Sequence, residues 1–287
     1  MRGAVTPDCQ TRASDRHMSE QGTFLMRANR LLAATVLSSL ALAGLTACGP
    51  DSGTGKSTAP AAPAASASKP AAAGGSLESL PVDEIFKRAQ AVGSKVTAVK
   101  LAFTLKADDG TMSGEVAEDG TGNCAGTVTL AGQGKVELLR KGTTVWLKPD
   151  ATFLNSVAPG KGAALSGKYL SAQADAVRAK ELTAFCDLGL QTLKNIGVEE
   201  DGSATPMTGT KAGTKQVGDT KAVIITDKDG GTSAELAIAA EGQPYLLSLV
   251  TTGTDEGNMT FSDFDKPVTV TAPPASQVVD GSAYLKG

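Results

Sequence analysis

The stretch Val82-Asp-Glu-Ile-Phe-Lys-Arg-Ala-Gln-Ala-Val92, followed closely by Val99-Lys-Leu-Ala-Phe-Thr-Leu105, decides the fold class. In the first part Val82, Ile85, Phe86, Ala89 and Val92 recur at the spacing of one helix face. Pro81 suits an opening turn, Asp83 and Glu84 favour the positive helix end, and Gly93 can close it. In the second part the period drops to two. Val99, Leu101, Phe103 and Leu105 alternate with Lys100, Ala102, Thr104 and Lys106, which predicts a strand with one wet face.

Downstream, short strand-like runs at Met112–Ala117, Cys124–Ala131, Lys135–Arg140 and Thr143–Lys148 are separated by Gly-rich turns such as Asp109-Gly110, the pattern of an antiparallel meander. Between residues 150 and 197 the period returns to helical. Asp150 after Pro149 is a start signal, Gly160 to Gly167 a bend, and Leu182, Phe185, Cys186, Gly189, Leu193 and Ile196 share a face, with Asp187 as an internal cap and Gly197 as a stop. Strands are predicted again at Lys221–Asp227, Ser233–Ala240, Tyr245–Thr252, Asn258–Ser262 and Val268–Thr271. The order helix, strands, helices, strands implies one α+β domain over residues 77–287, a large curved antiparallel sheet covered on one face by helices.

Upstream lies an export signal. Arg27 and Arg30 precede fifteen uncharged residues, Leu31 to Leu45, and then Leu45-Thr46-Ala47-Cys48. The apolar run is shorter than the roughly 20 residues of a spanning helix, so residues 26–47 read as a cleaved signal peptide. The four residues ending at Cys48 resemble a bacterial lipobox, which implies a diacylglyceryl anchor of palmitate type on Cys48. Residues 1–25 read as a start-site over-extension ahead of Met26. Residues 48–76 read as the lipidated cysteine and a disordered tether, because from Gly49 to Gly75 all but Asp51, Lys56 and Lys69 are Gly, Ala, Ser, Thr or Pro. Pro50-Asp-Ser-Gly-Thr-Gly-Lys-Ser57 inside it falls one residue short of a Walker A loop and lacks the flanking strand and helix. The expected location is the extracytoplasmic face of the cell membrane.

Composition excludes several functions. The sole histidine, His17, precedes the cleavage site, so the mature chain has no imidazole base, no Ser-His-Asp or Cys-His pair and no His-ligated zinc. No catalytic residue, cofactor or metal site is expected. Without Arg2, Arg12, Arg16, Arg27, Arg30, Asp8, Asp15 and Glu20 the mature chain carries 22 basic against 27 acidic residues. That balance argues against nucleic acid. Cys124 and Cys186 remain after Cys9 is removed and Cys48 acylated, and in an oxidising compartment their spacing reads as a disulfide. Period-two parity places Phe103, Leu105, Val128, Leu130, Val145, Leu147, Leu236, Ile238 and Phe261 on one inner face as candidate lining of an apolar cavity. Trp146 has outward parity.

The lipobox, the tether, the helix from Val82, the strand from Val99 and the closing Lys266-Pro-Val-Thr-Val-Thr-Ala-Pro-Pro274 together resemble the actinobacterial LprG/LppX lipoproteins, of the LolA-like carriers. The resemblance covers roughly residues 77 to 276. It implies a half-barrel sheet wrapped by helices around an apolar cavity, and a monomeric binder or carrier of an acylated lipid or glycolipid, with no chemistry. The chain departs from the mycobacterial members in its Cys124 and Cys186 pair and its longer tether. The alternative is a non-transport envelope lipoprotein that presents a protein- or cell-wall-binding surface.

Overall fold

A computed structural model describes residues 76–108, 110–196, 209–229, 231–253 and 256–285. The chain divides into Met1–Ser68 and Lys69–Gly287, and every described residue belongs to the second unit. Cys48, the signal peptide, the tether, Asp109 and Gly197 lie outside the described residues.

Twelve strands form one mixed, curved and open sheet in the order β12-β6-β5-β4-β3-β2-β1-β11-β10-β9-β8-β7. The strands are β1 (Ala98–Ala107), β2 (Gly110–Asp119), β3 (Cys124–Leu130), β4 (Gly134–Lys141), β5 (Thr144–Pro149), β6 (Tyr169–Gln173), β7 (Thr210–Val217), β8 (Thr220–Asp229), β9 (Thr232–Ala239), β10 (Leu246–Gly253), β11 (Gly257–Ser262) and β12 (Val278–Asp280). Two meanders, β2 to β6 and β7 to β11, are joined where β1 pairs with both β2 and β11. The α+β class and the helix-covered half-barrel are thus as predicted. The sheet is not wholly antiparallel, because β12 pairs with β6 in parallel.

Five α-helices belong to the described residues: α1 (Val82–Gly93), α2 (Ala151–Val157), α3 (Gly162–Leu165), α4 (Val177–Thr183) and α5 (Leu188–Lys194). Pro81 stands at the N-cap of α1, and Ile85, Phe86 and Ala89 are its buried stripe. Asp150 caps α2, its side chain accepting from the Phe153 backbone N–H at 2.8 Å. That bond satisfies one of the amides a helix start leaves open. Gly93 lets α1 touch α5, since a Cβ there would fall 2.3 Å from the Leu193 carbonyl oxygen.

Three expectations are corrected. The stretch from Leu182 to Ile196 is not one helix but α4, a 3-10 turn at Ala184–Cys186, and α5. Asp187 makes no side-chain cap; its carboxylate is taken by Arg140 instead. Val268–Thr271 is not a strand: residues 266 to 274 run without a ladder partner. Its alternation survives as burial of Val270, at 6% exposure, while Pro267, Pro273 and Pro274 remove the amides a ladder needs.

Candidate ligand site on the inner face of the sheet

The site starts from alternation. On each strand every second side chain turns toward the helices, and cross-strand register stacks these residues into rows. Leu101 lies opposite Val116 and Phe261, Phe103 opposite Gly114 and Met259, and Leu105 opposite Met112 and Gly257. Leu138 faces Leu147 across β4 and β5, and Leu236 lies between Ile225 and Leu249. All nine candidate lining residues fall in or against one continuous apolar cluster.

Within that cluster the face has two zones. Phe103, Val128, Val145, Leu147, Leu236, Ile238 and Phe261 are buried at 5% exposure or less. Helix residues fill the space above them: Ile85 and Phe86 from α1, Leu182 from α4, Phe185 from the 3-10 turn, and Leu190 and Leu193 from α5. Phe103 and Phe185 stack with centroids 5.1 Å apart. Toward the hairpin turns β1–β2, β3–β4 and β10–β11, burial fades. There Leu105, Met112, Leu130, Leu249 and Met259 are only half-buried. Glycines let neighbouring side chains lie close over the sheet at this end. A Cβ on Gly114 would come within 2.8 Å of the Phe103 ring, and one on Gly257 within 2.9 Å of Leu105.

At the opposite end the helical layer is pinned to the sheet. Cys124 on β3 and Cys186 in the 3-10 turn form a disulfide with Cα atoms 5.6 Å apart, and both are fully buried. Arg140 on β4 donates to both carboxylate oxygens of Asp187, at 2.9 and 2.6 Å, and to the carbonyls of Cys186 and Gly122. Glu118 on β2 accepts from the backbone N–H groups of Gly189 and Leu190, at 2.6 and 3.1 Å. Burial pushes the Glu118 carboxyl up to about 8, against the downward pull of those two amides. Its Oε2 is buried without a hydrogen-bond partner among the described residues, so that oxygen is the one to carry the proton. Three adjacent strands thus hold one short segment, Cys186 to Leu190.

Sequence reasoning placed Cys124 and Cys186 inward, and missed Glu118, Arg140, Met112, Leu249 and Met259. Parity held the signal for each. Glu118 shares a face with Val116, and Arg140 with Val136 and Leu138. A charge at an inward position was not read as a tie to the helices. On the outer face, a shallow polar depression of about 420 Å³ is lined by Ala102, Thr104, Ser113, Glu115, Asn258 and Thr260. It offers hydroxyls and a carboxylate, unlike the apolar inner face. Among the described residues no group of three or more His, Cys, Asp or Glu could hold a metal ion. Nor is any described helix long and apolar enough to cross a membrane.

Fold and site define an α+β half-barrel whose concave face is apolar and pinned shut at one end. The chain is similar to LprF from Mycobacterium bovis, with a TM-score of 0.45 and 16% identity over 67% of this chain and 96% of that one. It is similar also to the Mycobacterium tuberculosis lipoprotein LppX, with a TM-score of 0.40 and 14% identity over 67% of this chain and all of that one. A LolA superfamily protein from Nitrosomonas europaea aligns at a TM-score of 0.21 and 12% identity, over 69% of this chain and 97% of that one. No family model and no curated protein matches the chain.

Proposed function

We propose that the chain is an exported lipoprotein, anchored by an acylated Cys48, that holds the acyl chain of a lipid against the hairpin end of its inner face. The observation that carries this reading is the half-buried group Leu105, Met112, Leu130, Leu249 and Met259, continuous with a largely apolar interior. Methionines among leucines suit a ligand of variable shape, because the thioether chain is unbranched and adapts. A lipid chain of about fifteen methylenes gains about 12 kcal/mol gross on burial, at about 0.8 kcal/mol each. Ordering and association costs offset much of that gain. No charged motif is needed, and no chemistry is invoked.

Beneath the helices the interior is already packed with side chains, so a long chain would have to lift α1 or α5 or stay at the rim. That packing favours a second reading, a non-transport envelope lipoprotein whose surface meets a protein or cell-wall partner. Native mass spectrometry of the protein extracted from membranes separates the two. A co-purifying lipid mass supports the carrier reading. A bare chain that also takes up no fluorescent acyl lipid overturns it in favour of the second.

A further inference from the structure

The outer face of β4 to β6 carries a group of side chains that the lipid-holding reading does not use. Trp146, the chain's sole tryptophan, stands on β5 between Val145 and Leu147, both buried inward, and therefore points outward. Its cross-strand neighbours are Leu139 on β4 and Ser171 on β6, with Ala125 on β3 beyond Leu139. All four are half-buried.

Along the same face the lysines gather. Lys148 lies over the Tyr169 ring, 5.2 Å from its centroid. The only acidic side chain of these three strands, Glu137, is already engaged: it accepts from the Tyr169 hydroxyl at 2.5 Å and lies 3.9 Å from Lys148. Lys135 and Lys141, at the two ends of the outer row of β4, are exposed. Three lysines against Glu137 and against Asp280, which lies beside Ser171 on the adjoining β12 and accepts from the Ser282 amide, leave this face with a net positive balance on a chain whose formal charge is −3.

An aromatic with a polar N–H, set beside a leucine, an alanine and a serine and fringed by long cationic side chains, is the composition of a water–bilayer boundary. Protein interfaces favour tryptophan but are depleted in lysine, whereas an anionic lipid surface rewards each lysine near it. We propose that the outer face of β4 to β6 rests on an anionic bilayer surface, with Trp146 at headgroup depth and Lys135, Lys141 and Lys148 facing lipid phosphates. The proposal does not depend on what the inner face holds. Acylation of Cys48 would raise the effective concentration of the face at the bilayer without creating it.

Trp146 reports its own environment, with no other tryptophan to confuse the signal. The protein extracted from membranes is reconstituted in phosphatidylglycerol/phosphatidylcholine vesicles that carry a shallow spin-labelled lipid, and vesicle flotation is scored beside tryptophan emission. The expected result is quenching of Trp146 in these vesicles, weakened in pure phosphatidylcholine and by high salt. In the Lys135→Gln/Lys141→Gln variant the bilayer-facing orientation should become about 30-fold less favoured, with loss of quenching. The control Lys87→Gln/Lys95→Gln, on exposed lysines of α1 and the turn after it, should quench as the wild type does. Flotation reads the anchor and quenching reads the face. Absence of quenching overturns the proposal whether or not the protein floats, and points to a protein partner for this surface. Quenching that persists unchanged in the double variant overturns it as well.

Discussion

Glu118 is the residue with the sharpest physical consequence. A carboxyl whose folded value is raised to about 8 from an ordinary 4.5 binds its proton more tightly in the folded chain. The stability it contributes is therefore fully present below pH 4.5 and is lost as pH rises through 8. Chemical unfolding of the wild type at pH 5 and pH 9 should give the lower midpoint at pH 9. Glu118→Gln, which keeps an oxygen for the Gly189 and Leu190 amides, should flatten that slope. An unchanged slope in the variant would place the pH dependence elsewhere. Gly189 is bound to the same group, because a Cβ there would stand 2.5 Å from Glu118 Oε1. At Cys124 and Cys186, replacement of both by Ser should cost about 4 kcal/mol for a loop of this length. The loss is read as a lower urea midpoint that added reductant does not lower further. Two free thiols in the denatured, unreduced wild type would remove the basis of that figure.

Among the elements, what the sequence made legible follows burial on one face. β4 and β5 alternate strictly and β1 nearly so, β3 shows it more weakly, and β8, β9 and β10 carry consecutive buried residues instead, an apolar run that marks a strand as well; the sequence placed all of them within a residue or two. β7 was not read, and its residues Thr210-Lys-Ala-Gly-Thr-Lys-Gln-Val217 explain why: it is an edge strand exposed on both faces, so no apolar alternation marks it. Lys211, Lys215 and a bulge at Gly213, with φ +106°, also blunt that edge against further pairing. β6 and β12 are five and three residues long, too short for a period to declare itself. The break between α4 and α5 was hidden for another reason: Arg140 and Cys124, far away in sequence, impose it. The inner-face residues were legible from parity alone, whereas the division into a packed zone and a half-open rim depends on where the helices stop. The contact of α1 with α5 gives a direct test. Gly93→Ala should destabilise the domain by about 1–3 kcal/mol, because the added methyl meets backbone that cannot turn aside. A thermal midpoint within error of the wild type would mean that the two helices separate at little cost.

At the scale of the whole molecule, the proposal of an anchored lipid holder makes two separable predictions. Cys48→Ala should abolish metabolic labelling by a fatty acid and release the protein from membranes, and persistent labelling would relocate the anchor. Leu105→Asp, at the half-open rim, should eliminate lipid uptake while circular dichroism stays unchanged, since the side chain already reaches water. A folded variant with an undiminished lipid load would move the ligand away from this rim.

The junction of the two meanders at β1 carries a kinetic consequence. Residues Lys100 to Leu105 pair with Gly257 to Ser262, so the sheet is sewn together by a contact between strands more than 150 positions apart. Contacts that close such long loops form slowly, after local hairpins are in place. A chain emerging amino-terminus first can assemble β1 to β6 early, yet its central seam must wait until β11 has emerged. Until then β1 shows a bare edge, the interval in which the chain is most exposed to proteolysis and most in need of a chaperone.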